Sequence, residues 1–243
     1  MSKEYLLNTG NSDQECLDVL AEIYDKGSQD SLLSQLPKEA TNLLEIGCGH
    51  GHIAFWLAQN FPNCNIIGID SSEEQVKICQ QYKNQNSITN TEFTVHDTVN
   101  NQFDQKLDAV HIRFLLMHIK DWDSCFKNIL NSCKKGASIL IEESGFPFVC
   151  LPEENELFKR ANFLVNELAN RAGLNYNCFP LLWKFIQNLD VEIANVEFNL
   201  PALTTERQKS FQWHSCLFLI FFLLCDYTKE LLSSLKLNFH FLL

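Results

Sequence analysis

Glu45, Gly47, Gly49 and Gly51 alternate along Leu43-Leu44-Glu45-Ile46-Gly47-Cys48-Gly49-His50-Gly51, and Asp70 closes a second apolar run, Asn65-Ile66-Ile67-Gly68-Ile69-Asp70, 19 residues beyond Gly51. An apolar run that ends in an acid and passes into glycines suits a buried parallel strand turning sharply into a helix. Its backbone is left bare where a ligand must come close. A carboxylate at the tip of the second strand of a βαβ unit can accept both hydroxyls of a ribose. The spacing here is G-x-G-x-G. The dinucleotide fingerprint would need its third glycine at position 52, which is His52.

Glu45-x-Gly47-x-Gly49-x-Gly51 followed by Asp70 resembles the class I S-adenosylmethionine-dependent methyltransferases. The resemblance implies that Gly47, Gly49 and Gly51, with Cys48 in the same loop, wrap the methionine half of the cofactor. It implies that Glu45 organises this loop and reaches the cofactor's ammonium end, directly or through water, and that Asp70 holds the ribose hydroxyls. Asp97, in His96-Asp97-Thr98, matches the family's acid for the adenine amino group, with Ser71 and Thr98 as neighbouring candidates. The segment from Asp108 to His118 is similar to a strand-four pattern, D-x-V-x-x-R-x-x-L-x-H, of a large subgroup of these enzymes, which acts on small metabolites. There Arg113 would meet the methionine end through its carbonyl or guanidinium, or else form a structural salt bridge. His118 is a candidate general base or a packed loop residue.

These residues need elements that bring strand ends together. Alternating strand and helix patterns predict a parallel sheet. Strands are expected at 42–46, 65–69, 91–95, 109–114 and 137–141. A helix follows the glycine loop from about His52 to Asn60. Ser71 with Glu74 reads as a capping box for the next, whose stripe is Val76, Cys79 and Tyr82. Asp121 caps a third, with Trp122, Cys125, Phe126, Ile129, Leu130 and Cys133 on its buried face and Lys134-Lys135-Gly136 as stop signals. Leu17, Leu20, Ile23 and Tyr24 give residues 1–36 a helical stripe; in many relatives such a segment is a lid, and Tyr5 is either a cofactor contact or a packing aromatic. Helices at 153–171 and 181–188 and a strand at 191–198 follow.

Composition bounds the rest. The 243 residues, 46 % apolar, predict one domain with a sizeable core. A formal net charge of −11 argues against a general nucleic-acid binder. The ten cysteines contain no C-x-x-C pair, and the first residues are no signal peptide. They read as reduced thiols in a cytoplasmic protein. No metal is expected: Glu142-Glu143 closes strand five without visible further ligands. The apolar run at 216–225 is too short for a typical membrane span and reads as a buried helix or a homodimer contact.

The resulting expectation is an α/β fold, Rossmann-like, with a seven-stranded mainly parallel sheet. A lid at 1–38 precedes a cofactor-binding core at 40–145, a helical substrate cap at 146–190 and a completing segment at 191–243. Phe146, Phe148, Phe163, Phe179 and Trp183 either line an apolar pocket or join the core. The implied function is methyl transfer from S-adenosyl-L-methionine to a small-molecule acceptor. Alternatives are a protein or RNA methyltransferase, a nicotinamide oxidoreductase, or a cofactor binder without turnover. The acidic charge weighs against RNA, and Arg113-Phe114-Leu115-Leu116 stands where amino-group methylases carry N-P-P-[YF]. No Tyr-x-x-x-Lys pair supports a nicotinamide enzyme. The run at 216–225, the ending Phe241-Leu242-Leu243 and only a weak last strand at 237–243 depart from the family pattern, which leaves substrate and turnover open.

Overall fold

The computed structural model describes residues 14–145, 173–199, 201 and 203–208, together with 160, 163–164, 166–167 and 169–171. The apolar runs become β1 (Asn42–Ile46), β2 (Asn65–Asp70) and β4 (Leu107–Arg113), flanked by β3 (Thr91–Val95) and β5 (Cys133–Glu142). The order is β3-β2-β1-β4-β5, and every pairing is parallel.

The three inner strands are buried on both faces because helices cover both, so they read as continuous apolar runs rather than alternating ones. One face packs on α1 (Gln14–Gln35), α2 (His52–Asn60) and α3 (Glu73–Gln85), in a core that includes Leu32, Leu43, Phe55, Leu57, Ile66 and Cys79. The other packs on α4 (Trp122–Ser132) and α5 (Phe179–Ile186), through Leu44, Ile69, Ile112, Phe126, Ile129 and Leu182. Burying one such side chain contributes about 1.5–3 kcal/mol. The edge strand β3 alternates instead, with Thr91 and Phe93 inside and Glu92 and Thr94 outside.

Several boundaries differ from the sequence expectation. The sheet has five strands among the described residues, not seven. Residues 191–198 pair with no strand among the described residues, and their apolar side chains Val191, Ile193, Val196 and Phe198 are exposed. β-propensity is realised only beside a partner strand, and none of the described residues supplies one there. The α3 cap is Ser72, whose Oγ accepts from Gln75 N at 3.4 Å, one residue later than the Ser71 box. Asp121 does cap α4, accepting from Ser124 N at 3.0 Å. Cys133 caps the carboxyl end of that helix and at once opens β5, so Lys134-Lys135-Gly136 lie in the irregular start of the strand, where pairing jumps from Leu107↔Cys133 to Ala109↔Ser138.

Asp108 explains the irregularity. Its carboxylate accepts from Thr41 N, Thr41 Oγ1 and Asn42 N, and Lys134 Nζ reaches it at 2.7 Å. Desolvation opposes the charge, but the Lys134 ammonium and the Thr41 and Asn42 donors hold the acid well below the usual carboxylate range. One acid thus gathers the amino ends of β1, β4 and β5. Tyr5, Phe146, Phe148, the run at 216–225 and the expected strand at 237–243 lie outside the described residues. Among the described residues no helix is long and apolar enough to cross a membrane.

Candidate active site

The strand order reverses between β1 and β4, and the crevice outside their carboxyl ends is where open α/β sheets bind ligands. The glycine loop starts there. Gly47, Gly49 and Gly51 have φ of 72°, 52° and 79°, a conformation that side chains disfavour. Gly47 N and Cys48 N both donate to Ile69 O, at 2.8 and 2.9 Å, which locks the loop to the end of β2. Space matters as well: a Cβ on Gly47 would stand 3.2 Å from Leu115 Cδ1. The loop therefore runs bare into the start of α2, whose N-terminus favours negative groups.

Asp70 closes the other side. Its Oδ2 accepts from Gly49 N at 3.1 Å and its Oδ1 from Ser72 N at 2.9 Å. Burial raises its pKa above the ordinary value, against those two donors. A carboxylate offers about four lone-pair sites, so about two stay open to hydroxyl donors. A bare glycine cradle beside a half-buried acid with acceptor capacity to spare fits an amino-acid-bearing nucleoside. The other expected adenine-side residues contribute less. Ser71 is exposed. Asp97 is also exposed, and accepts from Val99 N at 2.9 Å, Asn100 N at 3.3 Å and Asn100 Nδ2 at 2.6 Å, an Asx turn. Thr98 is buried, and its carbonyl accepts from Asn128 Nδ2 on α4. Cys48 is buried inside the loop.

Behind the loop lies a charged chain that sequence reasoning missed. His111, fully buried, sets Nδ1 2.7 Å from Glu45 Oε2 and Nε2 2.7 Å from Glu142 Oε1. Burial alone would lower its pKa, but the two carboxylates outweigh burial and raise it to about 9. Ser28 Oγ on α1 donates to Glu142 Oε2 at 2.6 Å and accepts from Arg113 Nη1 at 2.9 Å. Arg113 also pairs with Asp25 of α1 at 2.8 Å. Its guanidinium is therefore engaged by α1. The same helix sets Leu17 against Gly49 and Asp18 3.3 Å from His52. This is why Leu17, Leu20, Ile23 and Tyr24 are only half-buried: α1 reaches over strand ends and loops.

The turn after β4 is held by acids from β5. Phe114 takes φ 51°, which costs a non-glycine residue about 1–3 kcal/mol. Its N–H donates to Glu142 O at 2.9 Å, and Leu115 N and Leu116 N donate to Glu143 Oε1. Glu143 Oε2 is buried without a hydrogen-bond partner, and burial pushes this carboxyl up to about 7. A raised acid adds stability below its ordinary pKa and loses it as pH rises through 7. Glu143→Gln, which cannot titrate, should therefore gain on the wild type between pH 5 and 8, by up to about 1.4 kcal/mol per pH unit. Urea denaturation at both pH values reads this out; a constant difference would mean that the acid titrates ordinarily.

His118 lies in the single 3₁₀ turn that follows (Leu116–His118), edge-on to Tyr176 at 6.2 Å, and burial lowers its pKa to about 4. The segment from 173 docks here: Asn175 N donates to Met117 O at 3.0 Å and Ser144 Oγ to Tyr176 O at 2.6 Å. Of the expected aromatic set, Phe179 stacks on Trp183 with centroids 6.2 Å apart, whereas Phe163 is mostly exposed.

Residues 37–179 match the family described as a methyltransferase domain. Probable (S)-tetrahydroprotoberberine N-methyltransferase 2 of Papaver bracteatum is 22% identical over 107 residues, covering 44% of this chain and 30% of that protein. Phosphoethanolamine N-methyltransferase 2 of Caenorhabditis elegans is 29% identical over 174 residues, covering 67% of this chain and 39% of that protein. The chain thus spans roughly a third of the length of the curated relatives it matches. The YcgJ protein of Bacillus subtilis shares the fold, with a TM-score of 0.52 at 18% identity over 85% of this chain and 86% of that one.

Proposed function

Because this chain belongs to the methyltransferase-domain family, we propose that it binds S-adenosylmethionine at the carboxyl ends of β1 and β2 and transfers the methyl group to a small-molecule acceptor. One observation carries the reading: three left-handed glycines lie beside a half-buried Asp70 that accepts from Gly49 N–H and keeps acceptor capacity. Gly47, Cys48, Gly49 and Gly51 would hold the methionine half, with Glu45 behind them. Asp70 would hold the ribose, and Ser71, Asp97 and Thr98 would border the adenine.

When bound, S-adenosylmethionine supplies a methyl group already activated on a sulfonium. This chain then has to orient the acceptor and exclude water, which accounts for most of the acceleration such a displacement needs. The turn at Phe114–His118 and the segment docked on it border that position. His118, with a pKa near 4, accepts a proton only weakly, so we assign catalysis to positioning. The relatives named as N-methyltransferases favour an amine acceptor. The described cysteines are free thiols, which suits a reducing compartment, and we assign the protein to the cytoplasm. Residues 1–38 would serve as the lid and 146–190 as the substrate cap.

Incubating the full chain with methyl-labelled S-adenosylmethionine and a panel of small amines tests the proposal. Labelled product together with S-adenosylhomocysteine supports the enzyme. Cofactor binding without product favours a binder, and absence of binding rejects both readings.

A further inference from the structure

In the parallel register, Glu45 lies opposite His111 and Glu142 opposite Arg113. Side chains alternate along a strand, so these four share one face at the carboxyl ends of β1, β4 and β5. Ionised carboxylates only accept hydrogen bonds. Both His111 ring nitrogens face one, so both must carry a proton. At neutral pH this partly buried chain then holds Asp25, Glu45 and Glu142 against His111 and Arg113, three negative charges to two positive. The chain is left one negative charge in excess, and its buried member Glu45 stands two residues before Gly47. Uncompensated charge around buried groups is costly, and a cationic ligand group at the loop would balance it.

We infer that His111 is a positioning residue for the cofactor: it sets the Glu45 carboxylate for the ligand's ammonium end and, through Glu142, Ser28 and Arg113, couples the docking of α1 to the glycine loop. This inference rests on the reading of that loop as the S-adenosylmethionine site. Without the cation, Glu45 and Glu142 would face each other across the site of the ring, and like-charge repulsion would turn Glu45 away from its place behind the loop. Coupling is reciprocal, so ligand binding should in turn tighten α1.

The pH dependence follows from the groups around the ring: Glu45 on β1, Glu142 on β5, Arg113 on β4, and Asp25 and Tyr24 on α1. The imidazole is raised from 6.5 to about 9, so the clamp is complete below 6.5 and lost as pH rises through 9. The ligand's own amino group also titrates in the basic range, but in free solution it does so identically for every variant, so it cancels in a ratio.

The test measures S-adenosylhomocysteine affinity by calorimetry from pH 7 to 9.5 for the full-length wild type, His111→Gln and Ser28→Ala. Hydrogen exchange of α1 is followed with and without ligand. His111→Gln should bind at least tenfold more weakly at pH 7, and its deficit should shrink towards pH 9.5. Ser28→Ala keeps the ring between its carboxylates; it should bind within a few-fold but lose the ligand-induced protection of α1. His111→Gln binding within twofold of wild type on a parallel pH profile overturns the inference, as does undiminished α1 protection in Ser28→Ala. A wild type that fails to bind overturns the cofactor reading itself, a distinguishable result.

Discussion

Asp70→Ala should weaken S-adenosylmethionine binding by tenfold to several hundredfold while leaving the fold intact. The carboxylate stands at the end of β2, beyond the last buried isoleucine, Ile69, so its removal opens no core cavity. Three interactions go together: the bond from Gly49 N, the bond from Ser72 N, and the acceptor capacity offered to a ribose. A hydrogen bond to a charged group contributes about 1.5–3 kcal/mol, and each tenfold in affinity is about 1.4 kcal/mol. Losing one such ligand bond therefore falls in that range. Asp70→Asn should do nearly as badly, because its NH₂ would oppose one of the two backbone donors already pointing at the site. Calorimetric titration of both variants against wild type checks this, with circular dichroism as the folding control. Affinity unchanged within twofold would mean that the ribose is held elsewhere.

Gly51→Ala should be the most damaging single methyl in the glycine loop. A side chain at φ 79° is strained by about 1–2 kcal/mol. Its Cβ would lie 2.8 Å from Phe55 Cε2 and 3.1 Å from Cys79 Sγ. Phe55 has little room to yield, since its ring packs on Tyr82 at 4.6 Å and on Phe93 at 5.0 Å. Overpacking of this kind costs about 1–3 kcal/mol more. The total, about 2–5 kcal/mol, is a large part of a typical domain's stability. Gly136→Ala is the matched control: its φ is 82°, but nothing lies within 4 Å of the added atom. Urea midpoints should separate the two variants clearly. Equal midpoints would show that strain alone acts and that the Phe55 contact yields freely.

The glycine-loop half of the candidate site was legible because its signals are local. The β1–loop–α2 unit, Asp70 at the tip of β2 and the Asp121 cap each depend on residues close in sequence, and the structure has them where spacing puts them. Family membership followed from the same short stretch. Signals that required a partner strand or a competing acceptor were misread: 191–198 has β character but no neighbouring strand among the described residues, and Lys134 is claimed by Asp108 rather than by the end of α4. The remainder was decided by tertiary structure alone. His111 carries no motif; its meaning arises when β1, β4 and β5 align so that Glu45 and Glu142 meet its two nitrogens across 66 and 31 residues of chain. Arg113 is directed to α1 because Asp25 and Ser28 arrive there only when that helix docks. The glycine turn and the Asp121 cap are set by energies within a few residues, so sequence alone indicates them, to within one residue in the case of the α3 cap. Strand register and helix docking are set by contacts between distant segments, and the charges those contacts bring together have no local signature.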